Sequence, residues 1–285
     1  PKEIRLAKND MLQSALSTVE FFGLDTSSVL LLPLSPGYIA GKMQIVRALA
    51  AGCRLVAESP SSRPFATTDH LTCSLIPLVP SQIEGFLSSP TALHTANVII
   101  GGAPMSAEQE KMLLERGMTA YATYGMTETC SHVALRRVGE KDYHALPGVR
   151  LTTADDGCLS ISRQGSTWGS VTTTDIVEMT GVDTFRWKGR RDNVINSGGV
   201  KIHPETIEEA LMPLLPAGTT AYVTGRASSM WGEEAVIVTD APAPQAMTLI
   251  ERLRPLVARH HLPKDIITVP VIERTDTGKI KRLRF

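Results

Sequence analysis

The amino-acid sequence predicts an α/β protein with a large N-terminal α/β domain, including a small β-rich subdomain, and a small α+β domain at the C-terminus. Short apolar runs alternate with helical patterns up to about residue 123, which is typical of βαβ units and a largely parallel sheet. After Gly148 the segments become short and rich in Thr and Ser, and beyond Asp192 a compact α+β module follows. We therefore expect an N-terminal core at residues 1–191 and a second domain at residues 192–285.

Local signals mark the ends of the helices predicted in the first half. A polar cap at residue 9 or 10 and Gly23 bound the first helix, and Gly52 stops the second at Ile39–Ala51. Ser106 and Gln109 form a capping box that starts a third helix, which runs to residue 116. Strands are predicted at residues 28–34, 54–57, 74–79, 97–100 and 119–123.

The second half is predicted to contain more strands than helices. Four short strands are expected in the β-rich part, and a helix, two strands, a helix and a strand in the C-terminal module. The four strands lie at residues 150–153, 158–162, 170–174 and 185–188; the C-terminal elements lie at residues 204–215, 220–224, 234–239, 247–260 and 266–272.

Composition excludes several classes of protein. The 29 basic and 29 acidic residues give a net charge of zero, so no overall field attracts nucleic acid or an anionic membrane. No apolar run approaches the roughly 20 residues that cross a bilayer. The four cysteines show neither a CxxC pair nor a histidine at zinc-ligand spacing, so we expect no metal cage or disulfide framework and a cytoplasmic protein.

Residues 124–128 (Tyr-Gly-Met-Thr-Glu) follow a predicted strand and carry three functional groups. We expect Gly125 to permit a sharp turn there. Tyr124 can stack on a base, Thr127 can donate to a phosphate oxygen, and Glu128 can bind Mg²⁺, which prefers carboxylate and phosphate oxygens. An ordinary exposed loop with a packed tyrosine is the alternative for so short a motif.

Residues 101–104 (Gly-Gly-Ala-Pro) follow another apolar strand. Gly101 and Gly102 let the backbone approach a flat ligand closely, at the strand end where open α/β sheets bind nucleotides. A tight turn that leads into the helix capped by Ser106 explains the same segment equally well.

Two polar residues later in the chain are candidates for binding a ribose or a phosphate. Asp175 lies among β-branched residues at what we predict is a strand end, where its carboxylate can accept both ribose hydroxyls. Arg190, in the polar stretch that joins the two modules, offers a planar fork of donors. A solvated turn aspartate and a charged linker are the alternatives.

Together, three segments resemble the adenylate-forming acyl-CoA synthetase superfamily, and most of all the o-succinylbenzoate–CoA ligases of menaquinone biosynthesis. They are Tyr-Ala-Thr-Tyr-Gly-Met-Thr-Glu-Thr-Cys at residues 121–130, Gly-Arg-Arg-Asp-Asn-Val-Ile-Asn-Ser-Gly-Gly-Val-Lys-Ile-His-Pro at 189–204, and Thr-Asp-Thr-Gly-Lys-Ile-Lys-Arg at 275–282. The resemblance covers essentially the whole chain. It implies ATP and coenzyme A as co-substrates, Mg²⁺ as cofactor and a small carboxylic acid as substrate. A homo-oligomer is compatible with it.

The resemblance also implies roles for particular residues. Lys279 would reach the substrate carboxylate and the α-phosphate, Asp192 would be the hinge of a mobile C-terminal domain, and residues 101–104 and 124–127, with Met126 among them, would hold ATP or AMP. The ATP-binding and coenzyme A-channel residues implied in this way are Gly101, Gly102, Ala103, Pro104, Tyr124, Gly125, Met126, Thr127, Asp175 and Arg190, and Ser197, Gly198, Gly199 and Lys201.

The sequence departs from the family pattern at three places. Thr173-Thr174 stands where a Thr-Gly usually precedes the ribose-binding aspartate, and Ser35-Pro36 stands where a histidine usually follows Leu-Pro-Leu. The role of that histidine is then unfilled or passes to Tyr38, and Lys42 and His132 are candidates for contact with a dicarboxylate such as succinylbenzoate. An exposed helical lysine and a packed histidine are the alternatives for these two residues. The chain opens on Pro-Lys, the end of the family's phosphate loop, so we expect the rest of that loop upstream.

Three alternative functions remain open. A sister ligase acting on another aromatic or fatty acid would keep every motif except the acyl pocket. An adenylation domain that loads a carrier protein would use a tethered thiol in place of coenzyme A. A non-catalytic nucleotide-binding relative would keep the binding motifs alone.

Overall fold

The computed structural model describes residues 3–66, 71–275 and 280–285. Its α-helices are α1 (Lys8–Phe22), α2 (Ile39–Ala51), α3 (Ile83–Leu87), α4 (Ala107–Glu115), α5 (Pro204–Leu211), α6 (Ala243–Ala246) and α7 (Leu249–Leu253). Its strands are β1 (Val29–Leu32), β2 (Arg54–Ala57), β3 (Ile76–Leu78), β4 (Val98–Ile100), β5 (Ala120–Met126), β6 (Ser131–Arg137), β7 (Tyr143–Ala145), β8 (Val149–Thr153), β9 (Cys158–Arg163), β10 (Ser170–Met179), β11 (Thr184–Arg190), β12 (Ile195–Ser197), β13 (Val200–Ile202), β14 (Ala221–Ser228), β15 (Gly232–Thr239) and β16 (Asp265–Thr268). No helix in this part of the chain has the length and apolar character that a bilayer span requires.

Residue contacts divide the chain into two compact units. Unit 1 comprises Pro1–Ala154, Ser160–Thr173 and Met179–Arg186, and unit 2 comprises Asp155–Leu159, Thr174–Glu178 and Trp187–Phe285. Compactness alone does not show that the two units move independently. The domain boundary at residues 191 and 192 therefore stays a prediction.

The predicted helix ends in unit 1 are confirmed where a glycine or a capping box marks them. Gly23 and Gly52 end α1 and α2 in the left-handed conformation, with φ of 60° and 64°. Ser106 and Gln109 form the predicted reciprocal cap of α4. The predicted cap of α1 is wrong, because the helix begins at Lys8 and the buried Asp10 carboxylate accepts from the backbone N–H of Thr167 instead.

The strands of unit 1 run parallel at first and antiparallel later. β1 pairs with β2, and β3, β4 and β5 pair side by side, all in parallel. β6 pairs antiparallel with β5 and with β7, and β7 pairs antiparallel with β11, so parallel pairing is confirmed only among the first five strands. The larger sheet has the order β3-β4-β5-β6-β7-β11-β10-β9-β8, so the four predicted strands of the β-rich part belong to this sheet.

The apolar core of unit 1 lies against β3, β4 and β5. Every residue of β3 and β4 is buried, and these strands pack with Phe65, Phe86 and Leu113. Burying an aliphatic or aromatic side chain of this kind contributes roughly 1.5–3 kcal/mol. The carboxyl ends of these parallel strands are therefore fixed in position. The first residues of the segments that follow are held in place by the same packing.

Unit 2 contains a second sheet with its own core. β14 and β15 form a long antiparallel pair, β16 joins β15 in parallel, and the hairpin of β12 and β13 meets β15 at Ser197. Ile207, Leu211 and Leu249 lie in the apolar core of this unit. The α+β class that we predicted for the C-terminal module is confirmed.

Two helix predictions in unit 2 are wrong because of proline. The helix predicted at residues 204–215 becomes a short 3₁₀ turn after Leu211, where Pro213 lacks an N–H to donate. The helix predicted at residues 247–260 is replaced by α6 and α7, and α7 ends two residues before Pro255. Pro255 has no N–H to donate to the Glu251 carbonyl, so the α-helical hydrogen-bond ladder cannot continue through it.

Candidate functional site

A tight junction between β5 and β6 forms the centre of the candidate site. β5 continues through Gly125 to Met126, and residues 127–130 form the turn. A Cβ on Gly125 would lie 2.2 Å from the Ser131 carbonyl oxygen, so only glycine admits this approach of β6. We predicted that Gly125 permits a sharp turn; instead it permits close strand contact at a register shift.

The turn itself holds an unusual backbone. Cys130 and Ser131 have φ of 58° and 93°, and residues other than glycine seldom take such values. The Thr129 hydroxyl stabilises the turn, since it lies within hydrogen-bond distance of Met126 N–H (3.2 Å) and of the Ser131 carbonyl (2.9 Å). Such conformations persist where the surroundings determine them strongly, and they often occur at binding sites.

A cavity of about 230 Å³ lies beside this junction, within unit 1. It contains six of the residues that the sequence predicts as functional, together with a buried arginine. The lining residues are Leu34, Ile39, Ala40, Arg47, Pro77, Leu78, Val79, Ile99, Gly101, Gly102, Thr123, Gly125, Met126, Thr127, Ser131 and His132. The structure thus brings the Gly-Gly segment after β4 and the Gly-Met-Thr segment of β5 to one place.

Gly101 and Gly102 allow close approach on one wall of the cavity. A Cβ on Gly101 would lie 2.2 Å from the Thr123 hydroxyl oxygen, and Gly102 has a φ of 87°. Both positions therefore disfavour any larger residue. Ala103 and Pro104 follow in the loop but are not among the lining residues.

Tyr124 lies in an aromatic cluster. Its ring meets the rings of Tyr143 and Phe185 edge-on, with centroids 5.8 Å and 5.1 Å away. These contacts fix the plane of the Tyr124 ring. Stacking of Tyr124 on a base stays a prediction.

Glu128 lies half-buried in the turn, next to Thr127. Among the residues that the structure describes, no group of three or more His, Cys, Asp or Glu side chains is arranged to hold a metal ion. A single carboxylate is what a Mg²⁺–nucleotide complex needs, because Mg²⁺ keeps several waters and takes other ligands from the phosphates. The donor set at Glu128 fits such an ion.

Arg47 is the residue of this cavity that sequence reasoning missed. It lies on α2 with 1% of its surface exposed, and burial lowers its pKa to about 9, so it is protonated at neutral pH. Its hydrogen-bond acceptors among the described residues are neutral: Gln44 Oε1 at 3.2 Å, Ser131 Oγ at 3.5 Å and His132 Nδ1 at 3.3 Å. Its Nε has no partner within the described residues.

Gln44 and His132 fix the Arg47 side chain from two sides. The Gln44 amide donates to the carbonyls of Leu31 and Leu75, both at 3.1 Å, which turns Oε1 toward Arg47. His132 is 4% exposed, and burial together with the charges of Arg47 and Arg163 holds its pKa well below 6.5. The cavity therefore carries a positive charge on Arg47 and a neutral imidazole beside it.

Tyr38 and Lys42, the other two acyl-pocket candidates, do not line the cavity. Tyr38 precedes α2 and is 72% exposed, and Lys42 is an exposed residue of the same helix. Of the three candidates, the structure brings only His132 to this cavity.

In unit 2, Asp175 and Arg190 each have a polar neighbour. Asp175 accepts from the Trp187 indole N–H at 3.2 Å, and Arg190 donates to the Thr174 hydroxyl at 2.6 Å. The prediction that Asp175 ends a strand is wrong, since β10 continues through its β-branched residues to Met179. Their ribose and phosphate roles stay predictions.

The predicted hinge and coenzyme A strip also lie in unit 2. Asp192 is exposed in a 3₁₀ turn (Arg191–Asn193) and pairs with Arg190 at 3.3 Å. The flexible strip that we expected is a hairpin turn: Ser197 pairs with Val200, Gly198 and Gly199 have φ of 56° and 82°, and Lys201 continues into β13 as an exposed residue.

Lys279, the predicted catalytic lysine, lies outside the described residues. The segment that follows it, residues 280–285, is firmly held within unit 2. Arg282 donates to both carboxylate oxygens of Glu208, at 2.6 Å for the Nη2–Oε2 pair, and to the Val223 carbonyl at 3.0 Å. Phe285 exchanges backbone hydrogen bonds with β14.

Glycine-bearing strand ends meet around one cavity of an α/β protein, which is the position where open α/β sheets bind ligands. A family model described as AMP-binding enzyme matches residues 1–166, which is more than half of the chain. The chain therefore belongs to the AMP-binding enzyme family.

Two curated relatives illustrate the similarity. The chain is 25% identical to the indoleacetate–CoA ligase of Aromatoleum aromaticum over 99% of this chain and 63% of the relative. It is 25% identical to the 2-succinylbenzoate–CoA ligase of Staphylococcus aureus over 94% of this chain and 61% of the relative. The chain thus spans a little over three fifths of the length of these two curated relatives.

The match to one solved structure extends over a larger share of that protein. The acyl-CoA synthetase (AMP-forming)/AMP-acid ligase II-like protein of Dyadobacter fermentans is 32% identical, with a TM-score of 0.67. The match covers 99% of this chain and 84% of that one. It supports the α/β fold class and the family together.

Proposed function

We propose that the protein is an AMP-forming acid–CoA ligase, which makes an acyl-adenylate and then a coenzyme A thioester. The observation that carries the proposal is the single cavity in which Gly101, Gly102, Thr127 and a buried cation, Arg47, meet. Family membership supports the nucleotide half of the reaction, and the names of the relatives above support the thioester half.

In the first half-reaction, the substrate carboxylate attacks the α-phosphorus of ATP and pyrophosphate leaves. Thr127 would donate a hydrogen bond to a phosphate oxygen, and Glu128 would hold Mg²⁺, which supplies charge neutralisation when bound. Lys279 would stabilise the developing charge at the α-phosphate. Phosphoryl-type chemistry depends mainly on such positioning and electrostatics, so no protein nucleophile is needed.

In the second half-reaction, the coenzyme A thiol attacks the acyl carbonyl of the mixed anhydride, AMP leaves and the thiol proton is released. Asp192 would act as hinge while the C-terminal domain withdraws Lys279. The turn at Gly198 and Gly199 would border the pantetheine arm, with Lys201 and Ser197 at its sides. Motion about a few hinge residues is a common way to separate two steps in one site.

For the acid, we propose an aromatic dicarboxylate such as o-succinylbenzoate. Arg47 supports this choice, since a buried cation whose hydrogen-bond partners among the described residues are neutral is suited to bind a second carboxylate. An arginine and a carboxylate form two parallel hydrogen bonds, which would compensate the burial of the guanidinium. A monocarboxylic acid would leave Arg47 uncompensated.

Pyrophosphate exchange tests the proposal directly. Exchange of labelled pyrophosphate into ATP that depends on added o-succinylbenzoate is expected, and its absence with every acid tried would refute the ligase. Accumulation of acyl-adenylate without coenzyme A, and its conversion when coenzyme A is added, separates a coenzyme A ligase from an adenylation domain that loads a carrier protein.

Lys279→Ala tests the assignment of the catalytic lysine. We expect it to abolish pyrophosphate exchange, by a factor of about 10² or more, because removing a preorganised charge donor costs that much. Conversion of supplied acyl-adenylate to thioester should be retained. Equal loss of both steps would contradict the role, and Lys264→Ala serves as a control on another lysine of unit 2.

A further inference from the structure

A chain of buried hydrogen bonds leads away from the cavity behind Arg47. The guanidinium donates to His132 Nδ1 at 3.3 Å, His132 Nε2 lies 3.1 Å from the Thr18 hydroxyl, and that hydroxyl donates to the Ser14 carbonyl at 3.3 Å. Thr18 and Ser14 belong to α1, and both are buried. Each residue of this hydrogen-bonded series is at most 4% exposed.

The chemistry of the partners determines the direction of every bond. Arginine can only donate, so Nδ1 of His132 must be the bare nitrogen of the ring. The proton of the neutral imidazole is then on Nε2, which donates to Thr18. Because the hydroxyl hydrogen of Thr18 is directed to the Ser14 carbonyl, the oxygen of Thr18 is available as the acceptor that selects this tautomer.

An acceptor of this kind orients Arg47 without cancelling its charge. A carboxylate at position 132 would neutralise the guanidinium inside the protein, and a protonated imidazole would repel it. A neutral acceptor with a fixed tautomer leaves the positive charge available to a ligand in the cavity, which both Arg47 and His132 line.

We propose that His132 is a positioning residue: it holds Arg47 as the receptor for the second carboxylate of the acid and thereby sets the preference for dicarboxylates over monocarboxylates. The inference rests on the proposed function for the kind of ligand. It replaces the expectation that His132 contacts the acid itself. Thr18 is the residue that keeps His132 in the required tautomer.

Two substitutions of His132 separate its two hydrogen bonds. In His132→Asn the amide oxygen can occupy the place of Nδ1 and accept from Arg47, whereas in His132→Gln the polar atoms lie near the place of Nε2 and a methylene faces Arg47. Thr18→Val is the isosteric removal of the acceptor for Nε2. Arg47→Met removes the receptor.

The measurement is the affinity for o-succinylbenzoate and for its two analogues that each lack one carboxylate, by calorimetry on the whole protein. The wild type is expected to bind the dicarboxylate at least about tenfold more tightly than one of the analogues, since a charged hydrogen bond contributes that much. His132→Gln should lose most of this ratio, His132→Asn should keep it within about threefold, and Thr18→Val should lose part of it. A ratio of affinities from one preparation does not depend on the fraction of folded protein.

Three outcomes would overturn the inference: equal ratios in His132→Asn and His132→Gln, no preference for the dicarboxylate in the wild type, or a preference that survives Arg47→Met. If His132→Gln does not fold, Thr18→Val decides the matter, and an unchanged ratio in that variant overturns the proposal. Pyrophosphate exchange distinguishes a failure of the proposed ligase activity from a failure of the proposed role of His132. Selective binding of the dicarboxylate without exchange refutes the ligase and supports the positioning role. Exchange without a preference for the dicarboxylate supports the ligase and refutes the positioning role.

Discussion

Replacing Arg47 by methionine should make the ligand-free protein more stable while it removes the proposed receptor for a dicarboxylate. The difference between the ordinary pKa of 12.5 and a pKa of about 9 corresponds to about 5 kcal/mol, at 1.36 kcal/mol per pKa unit, for keeping the guanidinium charged in its buried place. Against this, the variant loses three hydrogen bonds to neutral acceptors, each contributing about 1 kcal/mol. The difference between these two contributions gives an expected net gain of about 2 kcal/mol.

The assay is thermal unfolding of the ligand-free protein followed by o-succinylbenzoate titration. A gain of this size should raise the Tm by a few degrees, at about 2–4 °C per kcal/mol. Arg163→Met is the matched control, because Arg163 is also buried but has Asp10 as a charged neighbour, so its removal should destabilise. A lower Tm for Arg47→Met with unchanged affinity for the dicarboxylate would refute the reasoning.

Three other perturbations have expected outcomes. Gly125→Ala should destabilise the fold by roughly 2–4 kcal/mol and abolish pyrophosphate exchange, because the new Cβ would collide with the backbone at Ser131. The control Gly37→Ala, whose Cβ would meet only a side-chain oxygen at 3.3 Å, should change the Tm little. Similar losses of stability in both variants would contradict this. Arg282→Met should impair adenylate formation more than thioester formation, since it releases the segment after the predicted catalytic lysine; equal effects in half-reaction assays would argue against that anchor. Because His132 stays neutral in the folded protein, the unfolded chain binds one more proton as the pH falls below 6.5, and the free energy of unfolding should fall by up to about 1.4 kcal/mol per pH unit there. His132→Asn should lack this part of the acid sensitivity. Parallel curves of stability against pH for the two proteins between pH 5 and 7 would exclude this contribution of His132.

The sequence predicts well those elements whose limits are encoded locally. The limits of α2 are predicted to the residue, because Gly52 provides a left-handed C-cap. The capping box of α4 is equally local. β6 was not predicted, since Ser131–Arg137 mixes polar, apolar and basic residues and becomes a strand through its pairing with β5.

The candidate site shows the same division. Gly101, Gly102 and Thr127 were found from short motifs at strand ends, where a glycine or a hydroxyl has a plain chemical use. Arg47 was missed, because a polar residue on a helix usually faces water. One signal was present: Gln44 and Arg47 are three positions apart, on the side of α2 where Met43 and Ala48 are buried. Polar residues on the apolar side of a helix are a reason to look for a buried ligand.

Gln44 joins parts of the framework as well as orienting Arg47. Its amide closes onto Leu31 in β1 and onto Leu75 just before β3. A change at this glutamine would therefore disturb the scaffold together with the pocket. Ile39 and Ala40, in the first turn of the same helix, line the cavity with apolar side chains, which make no hydrogen bond to the framework. Substitutions at the start of α2 would therefore change the size of the cavity, whereas a change at Gln44 would also alter the surroundings of Arg47.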